Sequence, residues 1–332
     1  MIADANLPIF FAGLMALSII VYAILDGYDL GVGILLPLNN DQQADQMIAS
    51  IGPFWDANET WLVLAVGLLL IAFPSAHNVI LKALYIPSAI MLVGLILRGV
   101  AFDFRAKVAQ VNKHRWNQIF KCGSCIAAAS QGYMLGSFVM GFEESFMAYA
   151  FATLSALGVT CAYALIGSTW LILKTSDDLQ LRAIQWAKLT GKISFVGILV
   201  VCIANPLINQ LVFERWTTPP FAYFMAIVPF VSFTLLFIGN LVLKQLPLKD
   251  DSGCWLPFLI TVVVYIFCFC GLVFSFYPYV VPSELTIWDA ASAPESLRFI
   301  LYGALIVIPC ILAYTVFSYR VFWGKVEDLR YY

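Results

Sequence analysis

GPFWDANETWLV, residues Gly52–Val63, places Asp56, Asn58 and Glu59 between two tryptophans, Trp55 and Trp61, directly before an apolar run. That run, Thr60–Phe73, has 14 residues. At about 1.5 Å per residue a helix of that length covers roughly 21 Å, short of the ~30 Å hydrocarbon core of a bilayer. A helix here spans a membrane only by starting earlier, near Ser50. Asp56 and Glu59 then lie inside the membrane, one turn apart on one face. A carboxylate at the centre of a membrane helix costs roughly 2.5–3.5 kcal/mol on insertion scales, so it is a functional candidate in search of a partner. The plain alternative is an interfacial helix start, where Asp and Glu favour the first turn and Trp favours the headgroup level.

The rest of the chain has the same character. Of its 332 residues, 62% are hydrophobic and 11% charged, against about 25% charged in soluble domains. The composition implies an all-α polytopic membrane protein, with residues 1–332 forming one integral-membrane domain, and excludes a soluble core. A net charge of −2 gives no reason to expect nucleic acid. Met1–Leu7 carries Asp4 and no Lys or Arg, the wrong n-region for a cleaved signal peptide, so the first apolar segment is expected to stay as a membrane helix.

Nine apolar segments follow: Ile9–Leu25, Ser50–Phe73, Val79–Leu97, Ile119–Phe142, Met147–Leu173, Ile193–Val212, Phe221–Leu243, Trp255–Tyr277 and Leu297–Tyr319. The first can continue through Asp26–Leu36 until Pro37 ends it. With the N-terminus outside, 15 of the 18 Lys and Arg residues fall in inward stretches, Lys249 and Arg330 among them; only Lys82, Arg215 and Arg298 fall outside. This bias predicts an N-out, C-in chain, which requires an odd number of spans and so agrees with nine. The connection Asn39–Ala49 is then cytoplasmic, and Asp26, Asp29, Asp56 and Glu59 all approach the membrane from that side. The long connection Pro278–Ser296, with Glu284, Trp288, Asp289 and Glu295, faces outside and reads as functional or partner-facing.

DGYDLGVG, Asp26–Gly33, puts Asp26 and Asp29 on one helix face, and Gly27 and Gly31 at the spacing that lets another helix approach closely. RGVAFDFRAK, Arg98–Lys107, offers Arg98 and Arg105 as counter-ions for these carboxylates, with Asp103 between them. For Arg105 and Lys107 an ordinary positive-inside flank is the alternative. Gly132 and Gly136 suggest a second tight helix contact, Glu143 and Glu144 a solvated flank, and Asn205–Pro206 and Pro229 kinks. The two histidines, His77 and His114, read as lying in connections, one outer and one inner. Haem iron is held by His, Met, Cys or Tyr, so the chain is expected to bind no haem iron and no metal of its own. Cys122 and Cys125 form a C-x-x-C without a second pair, and Cys161, Cys202, Cys268, Cys270 and Cys310 read as small hydrophobes in apolar runs.

Together these residues resemble subunit II of the cytochrome bd-type quinol oxidases. DGYDLGVG, IGPFWDANETWLV, RGVAFDFR, IWDAASAP at Ile287–Pro294 and AYTVFSYRVFWGKV at Ala313–Val326 carry the resemblance, in order, over essentially the whole length. ALYIPSAIMLVGLILRG and IGSTWLILKT look most like the cyanide-insensitive branch. The resemblance implies nine helices, built as two four-helix bundles plus one peripheral helix, in a bacterial inner membrane. It implies a partner, subunit I, that carries haems b and d and the quinol site. The complex oxidises quinol, reduces oxygen to water and takes protons from the cytoplasm. Within this chain no residue is catalytic. Asp29 and Asp56 occupy matching motif positions of a proton path, and Asp103 a position that is Asp or Glu in relatives. Asp26 and Glu59 join them by their helical spacing, with Asn58, Arg98, Trp55 and Trp61 as supporting partners. The resemblance also leaves room for a small accessory subunit, membrane lipid and a structural quinone whose residues are not assigned.

Asp29 and Asp56 are accordingly expected to face each other or a shared water-filled seam. Two other readings stand beside this one. A proton-coupled secondary transporter using Asp29 and Asp56 would show internal repeats and helices broken at the midplane. A purely structural scaffold subunit would use its carboxylates for helix contacts alone.

Overall fold

The computed structural model describes residues 4–107, 110–248 and 251–326. Lys249 and Arg330, counted among the inward basic residues, lie outside the described residues, as do both ends of the 1–332 domain.

Helix α1 (Leu7–Leu35) has a proline in its first turn and runs 29 residues through both aspartates. It stops before Pro37, which has no N–H to continue the ladder. A short turn leads to α2 (Asp41–Ile51), whose N-cap Asn40 accepts a 3.0 Å bond from the Gln43 N–H. This helix buries Ala44, Met47, Ile48 and Ile51. The second span does not start near Ser50, as its length suggested. The chain turns at Gly52–Phe54 and α3 (Trp55–Ala72) begins at Trp55. Pro53 favours the break, because its missing N–H removes one ladder bond and its ring crowds the preceding turn. The 18 residues of α3 rise about 27 Å, a near-minimal span.

Phe73 alone joins α3 to α4 (Pro74–Lys107), because proline is well suited to a first helical position. His77 therefore lies in the first turns of α4, not in a connection. His114 likewise lies in α5 (Gln110–Val139), not in an inner loop. In both places the helix runs beyond the apolar segment that marked it. Ser145 caps α6 (Phe146–Lys174), accepting from the Ala148 N–H at 3.2 Å. Next come α7 (Asp177–Ile208), α8 (Gln210–Thr217), α9 (Phe221–Gln245) and α10 (Leu256–Phe276). The apolar segment Ile193–Val212 is split between α7 and α8, because α7 ends two residues after Pro206. Pro229 is held inside α9.

The connection Pro278–Ser296 is folded. Strands β1 (Tyr279–Val281) and β2 (Leu285–Thr286) pair antiparallel, and one helical turn, α11 (Ile287–Ala290), precedes α12 (Pro294–Val321). Val280, Val281, Ile287 and Ala290 close over Leu7 and Phe11 of α1, Leu68 and Ala72 of α3, and Phe73. Helices α1, α3, α4 and α5 form one group of neighbours and α6, α7, α9 and α10 another; α1 and α5 lie against α6 where the groups meet. Helix α12 stands to the side and touches α1 and α3, burying only Leu297, Ile308 and Ser318.

Among the described residues, eight helices, all those of 18 residues or more except α5, are long and apolar enough to cross a membrane. Helix α5 has 30 residues but carries Lys121, Ser124, Ser130 and Gln131. The fold is that of an all-α polytopic membrane protein. Its buried hydroxyls mostly close on their own helices: Ser18 donates to Leu14 O, Ser124 to Phe120 O and Thr261 to Pro257 O, each at 2.8–2.9 Å. A polar side chain satisfied this way is tolerated in an apolar surrounding.

The glycine pairs do what their spacing implied. A Cβ on Gly31 would lie 1.8 Å from the Tyr163 carbonyl oxygen, where α1 crosses α6. One on Gly136 would lie 2.6 Å from Ala152 Cα, where α5 crosses α6. All eight cysteines are free thiols. Among the described residues, no group of three or more His, Cys, Asp or Glu side chains is placed to hold a metal.

Candidate functional site: a buried ionic cluster between three helices

The first turn past the middle of α1 presents Asp26 and Asp29, three apart, to the inside of the first helix group. Helix α3 presents Asn58 and Glu59 to the same place from its second turn, and α4 presents Arg98. The Arg98 Nη1 donates to Asp26 Oδ1 at 2.7 Å and to Glu59 Oε1 at 3.2 Å. Its Nη2 lies 3.8 Å from Asp29 Oδ2, within ionic contact but beyond a hydrogen bond. Asp26, Asp29 and Arg98 expose no side-chain surface; Glu59 keeps 28% of its side chain accessible. The Trp55 ring lies beneath the guanidinium, 5.9 Å from its carbon. Long, flat and forked, an arginine is suited to reach two carboxylates at once.

Asn58 extends the cluster. Its Nδ2 donates to Asp29 Oδ2 at 2.8 Å and to the Tyr28 hydroxyl at 2.9 Å. Tyr28 meets Tyr319 of α12, hydroxyl to hydroxyl at 2.5 Å, and Tyr319 donates to Asn58 Oδ1 at 3.4 Å. On the other side Gln131 of α5 donates to the Tyr22 hydroxyl, and Tyr163 of α6 donates to Gln131, each at 2.7 Å. Four polar atoms in the cluster have no hydrogen-bond partner among the described residues: Asp26 Oδ2, Asp29 Oδ1, Arg98 Nε and Arg98 Nη2. Buried polar atoms in this state are the usual seats of internal water.

The site does not gather every candidate. Asp26, Asp29, Glu59, Asn58 and Arg98 come together. Asp56 does not: it lies on the exposed side of α3 and forms no salt bridge among the described residues. It shares no seam with Asp29, because Asn58 and Glu59 occupy the inward positions of that turn. Asp103 is exposed on α4. Trp55 packs on Phe102, ring centroids 4.8 Å apart, and Trp61 is fully buried. Arg105 does not serve the carboxylates of α1 and α3. It pairs with Asp45 of α2 and donates through Nε to Asn117 of α5 at 2.6 Å, while Lys113 reaches Asp45 at 3.4 Å. Glu143 and Glu144 are exposed as expected.

Tyr28, Tyr319, Gln131, Tyr22 and Tyr163 were not among the sequence candidates. Tyr28 stands between the two aspartates of DGYDLGVG, and Gln131 is a lone amide in an apolar run; both were visible signals. Tyr319 lies 291 positions from Tyr28, and no periodicity connects them.

The fold and the site define a polytopic helical membrane subunit with a charged cluster shut inside one helix group. Residues 7–322 match the family described as cytochrome bd terminal oxidase subunit II, and the chain belongs to that family. It is thus subunit II of a bd-type quinol oxidase, an oxidoreductase complex of the bacterial inner membrane, and a multi-pass protein there. The chain is 25% identical to cytochrome bd-I ubiquinol oxidase subunit 2 of Escherichia coli (strain K12), covering 96% of this chain and 95% of the relative. It is 28% identical to cytochrome bd ubiquinol oxidase subunit 2 of Bacillus subtilis (strain 168), covering 95% of each. A chain in the structure of bd oxidase from Geobacillus thermodenitrificans shares the fold, with a TM-score of 0.77 at 17% identity over 96% of this chain and all of that one.

Proposed function

We propose that the cluster around Arg98 is a proton-holding station in this subunit of the oxidase. The observation that carries the reading is charge: three carboxylates, Asp26, Asp29 and Glu59, surround one guanidinium, and only Glu59 keeps any accessible side-chain surface. Isolated charge is costly in low dielectric, so a cluster with more carboxylates than cations is best satisfied by carrying a proton among them. Glu59 is the member with access to the outside of the cluster, and Asp56, one turn away on the exposed side, is the group that would deliver protons to it. Asp103 belongs to the same cytoplasmic approach.

The surrounding assignments are part of this proposal. The chain crosses the membrane nine times as one integral-membrane domain, α5 supplying the span that falls short in hydropathy, with the N-terminus outside and the C-terminus inside. Its haem-bearing subunit I carries haems b and d and the quinol site. Subunit II supports that partner through its exposed apolar helix faces, alongside membrane lipid, any small accessory subunit and a structural quinone. Oxygen is reduced with protons drawn from the cytoplasm. A scaffold reading shares the same buried pairs but assigns them no proton traffic. The test is Asp29→Asn in the purified complex, with haem content and oxygen uptake measured on one sample. Normal haem with slowed uptake supports a proton station; normal haem with full uptake across pH leaves the scaffold.

A further inference from the structure

The end of the chain makes contacts that the proton station does not account for. Helix α6 ends at Lys174 and α12 at Val321, and each helix end is closed by a lysine from the other's neighbourhood. The Lys174 Nζ donates to Phe322 O at 2.7 Å and Gly324 O at 3.1 Å, just past the end of α12. The Lys325 Nζ donates to Thr175 O at 2.7 Å and Ile172 O at 3.4 Å, at the end of α6. The last carbonyls of a helix have no partner within it, and a cation there also meets the negative end of the dipole. The exchange is therefore favourable at both ends at once. Gly324 has φ +116°, a conformation that favours glycine and folds the segment back.

Asp251, Gln180, Trp170 and Phe54 brace the exchange. Lys325 lies 3.2 Å from Asp251 Oδ2; Gln180 of α7 donates to Asp251 Oδ1 at 3.0 Å and to Ile172 O at 3.1 Å. The Lys174 ammonium also sits 5.2 Å from the Trp170 ring and 5.6 Å from Phe54. Those two rings hold Tyr319: Phe54 stacks on it with centroids 4.5 Å apart, and Trp170 meets it edge-on at 6.2 Å. Helix α12 has few other attachments to the rest of the molecule, since only three of its residues are buried.

We propose that segment 322–326 is a latch, and that Lys174 and Lys325 are positioning residues for the buried cluster. By fixing the end of α12 they hold the Tyr319 hydroxyl against Tyr28 and Asn58, and through Asn58 they set the orientation of Asp29. The proposal rests on the proton-station reading for its link to turnover, but the latch itself is read independently.

The experiment uses the intact oxidase complex. Lys325→Gln, Lys325→Arg, Tyr319→Phe and the double variant Lys325→Gln/Tyr319→Phe are compared for oxygen uptake at matched haem content. Hydrogen exchange is followed in the peptide carrying Tyr319. Lys325→Gln should speed exchange there and lower uptake about 2- to 10-fold, the range that one lost hydrogen bond implies. Lys325→Arg, which keeps the cation and the reach that the shorter, neutral Gln loses, should restore both. In the Tyr319→Phe background Lys325→Gln should add no further loss, because coupled positions are not additive. Losses that multiply in the double variant overturn the positioning role, and exchange unchanged by Lys325→Gln overturns the latch. Faster exchange with wild-type uptake in both Lys325→Gln and Tyr319→Phe keeps the mechanical latch but overturns its role in positioning the cluster. An Asp29→Asn complex with full uptake separately rejects the proton station.

Discussion

Arg98 and Asp26 meet at 2.7 Å with no exposed side-chain surface on either residue. They come from α4 and α1, 72 positions apart, and they join the two helices inside the first group. A charge pair this deep is held by complementarity on both sides. Removing one member leaves the other buried and unpaired.

That asymmetry gives the first expectation. Arg98→Gln should destabilise the assembled complex by about 3–5 kcal/mol, the usual consequence of breaking a buried ion pair. Haem retention and thermal unfolding of the purified complex would read this. Undiminished stability would mean that the carboxylates are already neutral without the guanidinium.

Asp56 behaves differently because nothing in the described structure depends on its charge for packing. Asp56→Asn should assemble with normal haem and normal thermal stability while slowing oxygen-dependent quinol oxidation. Full turnover at every pH tested would remove Asp56 from the proton path.

Gly31 marks the tightest helix crossing. A methyl group there would lie 1.8 Å from the Tyr163 carbonyl, so Gly31→Ala must push α1 from α6 and should cost about 1–3 kcal/mol or more. Gly13, on the same helix, has nothing within 4 Å of a new Cβ, and Gly13→Ala should be neutral or mildly stabilising. Comparing the two by yield of haem-loaded complex separates crossing strain from helix propensity.

Orientation can be read by labelling. Asp178 and Glu284 are exposed. A cysteine at Asp178 should react with an impermeant maleimide only from the cytoplasm, and one at Glu284 only from outside. Reversed labelling would place the carboxylate cluster on the wrong side for cytoplasmic proton uptake. Native Cys254 should stay silent at neutral pH, because burial and then the neighbouring Asp251 carboxylate push its thiol up to about 11.

The latch should respond to acid in one direction only. Partial burial works against the Asp251 carboxylate, but hydrogen bonds from Gln180, Lys325 and Cys254 outweigh it and hold the group below its ordinary 3.8. A depressed carboxylate stabilises the fold fully above its unfolded value and loses that contribution as pH falls through the folded one. Hydrogen exchange around residues 320–326, taken relative to the intrinsic rate at each pH, should thus be flat from neutrality to about pH 5 and rise only in stronger acid. Asp251→Asn should abolish that rise.

Much of the architecture was legible because α1 obeys simple rules. The helical pattern runs from Leu7 to Pro37, so the spacing puts Asp26 and Asp29 on one face, and Arg98 and Arg105 are the cations offered to meet them. The second span starts at Trp55 and not near Ser50, since hydropathy sees Ser50–Phe73 as continuous and does not weigh the turn at Pro53. That turn resets the helix, so Asn58 and Glu59, not Asp56, point inward. Arg105 pairs away from the cluster because the stretch that hydropathy leaves as a plain connection folds as α2 and brings Asp45 to it. The lysine exchange at the ends of α6 and α12 left no signature, since backbone carbonyls carry no residue identity.

The Ser292 N–H donates to Ala72 O at 2.9 Å and its hydroxyl to Ile71 O at 2.6 Å, closing the end of α3 from a connection about 220 positions later in the chain. Arg298 binds Asp4 in the same region. On a ribosome that builds the protein from its N-terminus, α1, α3 and α4 are thus inserted long before the groups that fasten them exist. The early half must wait in the bilayer with the end of α3 open, held by its own helix contacts. A nascent chain halted before Ser292 would carry every charged member of the Arg98 cluster and still lack both Tyr319 and this fastening.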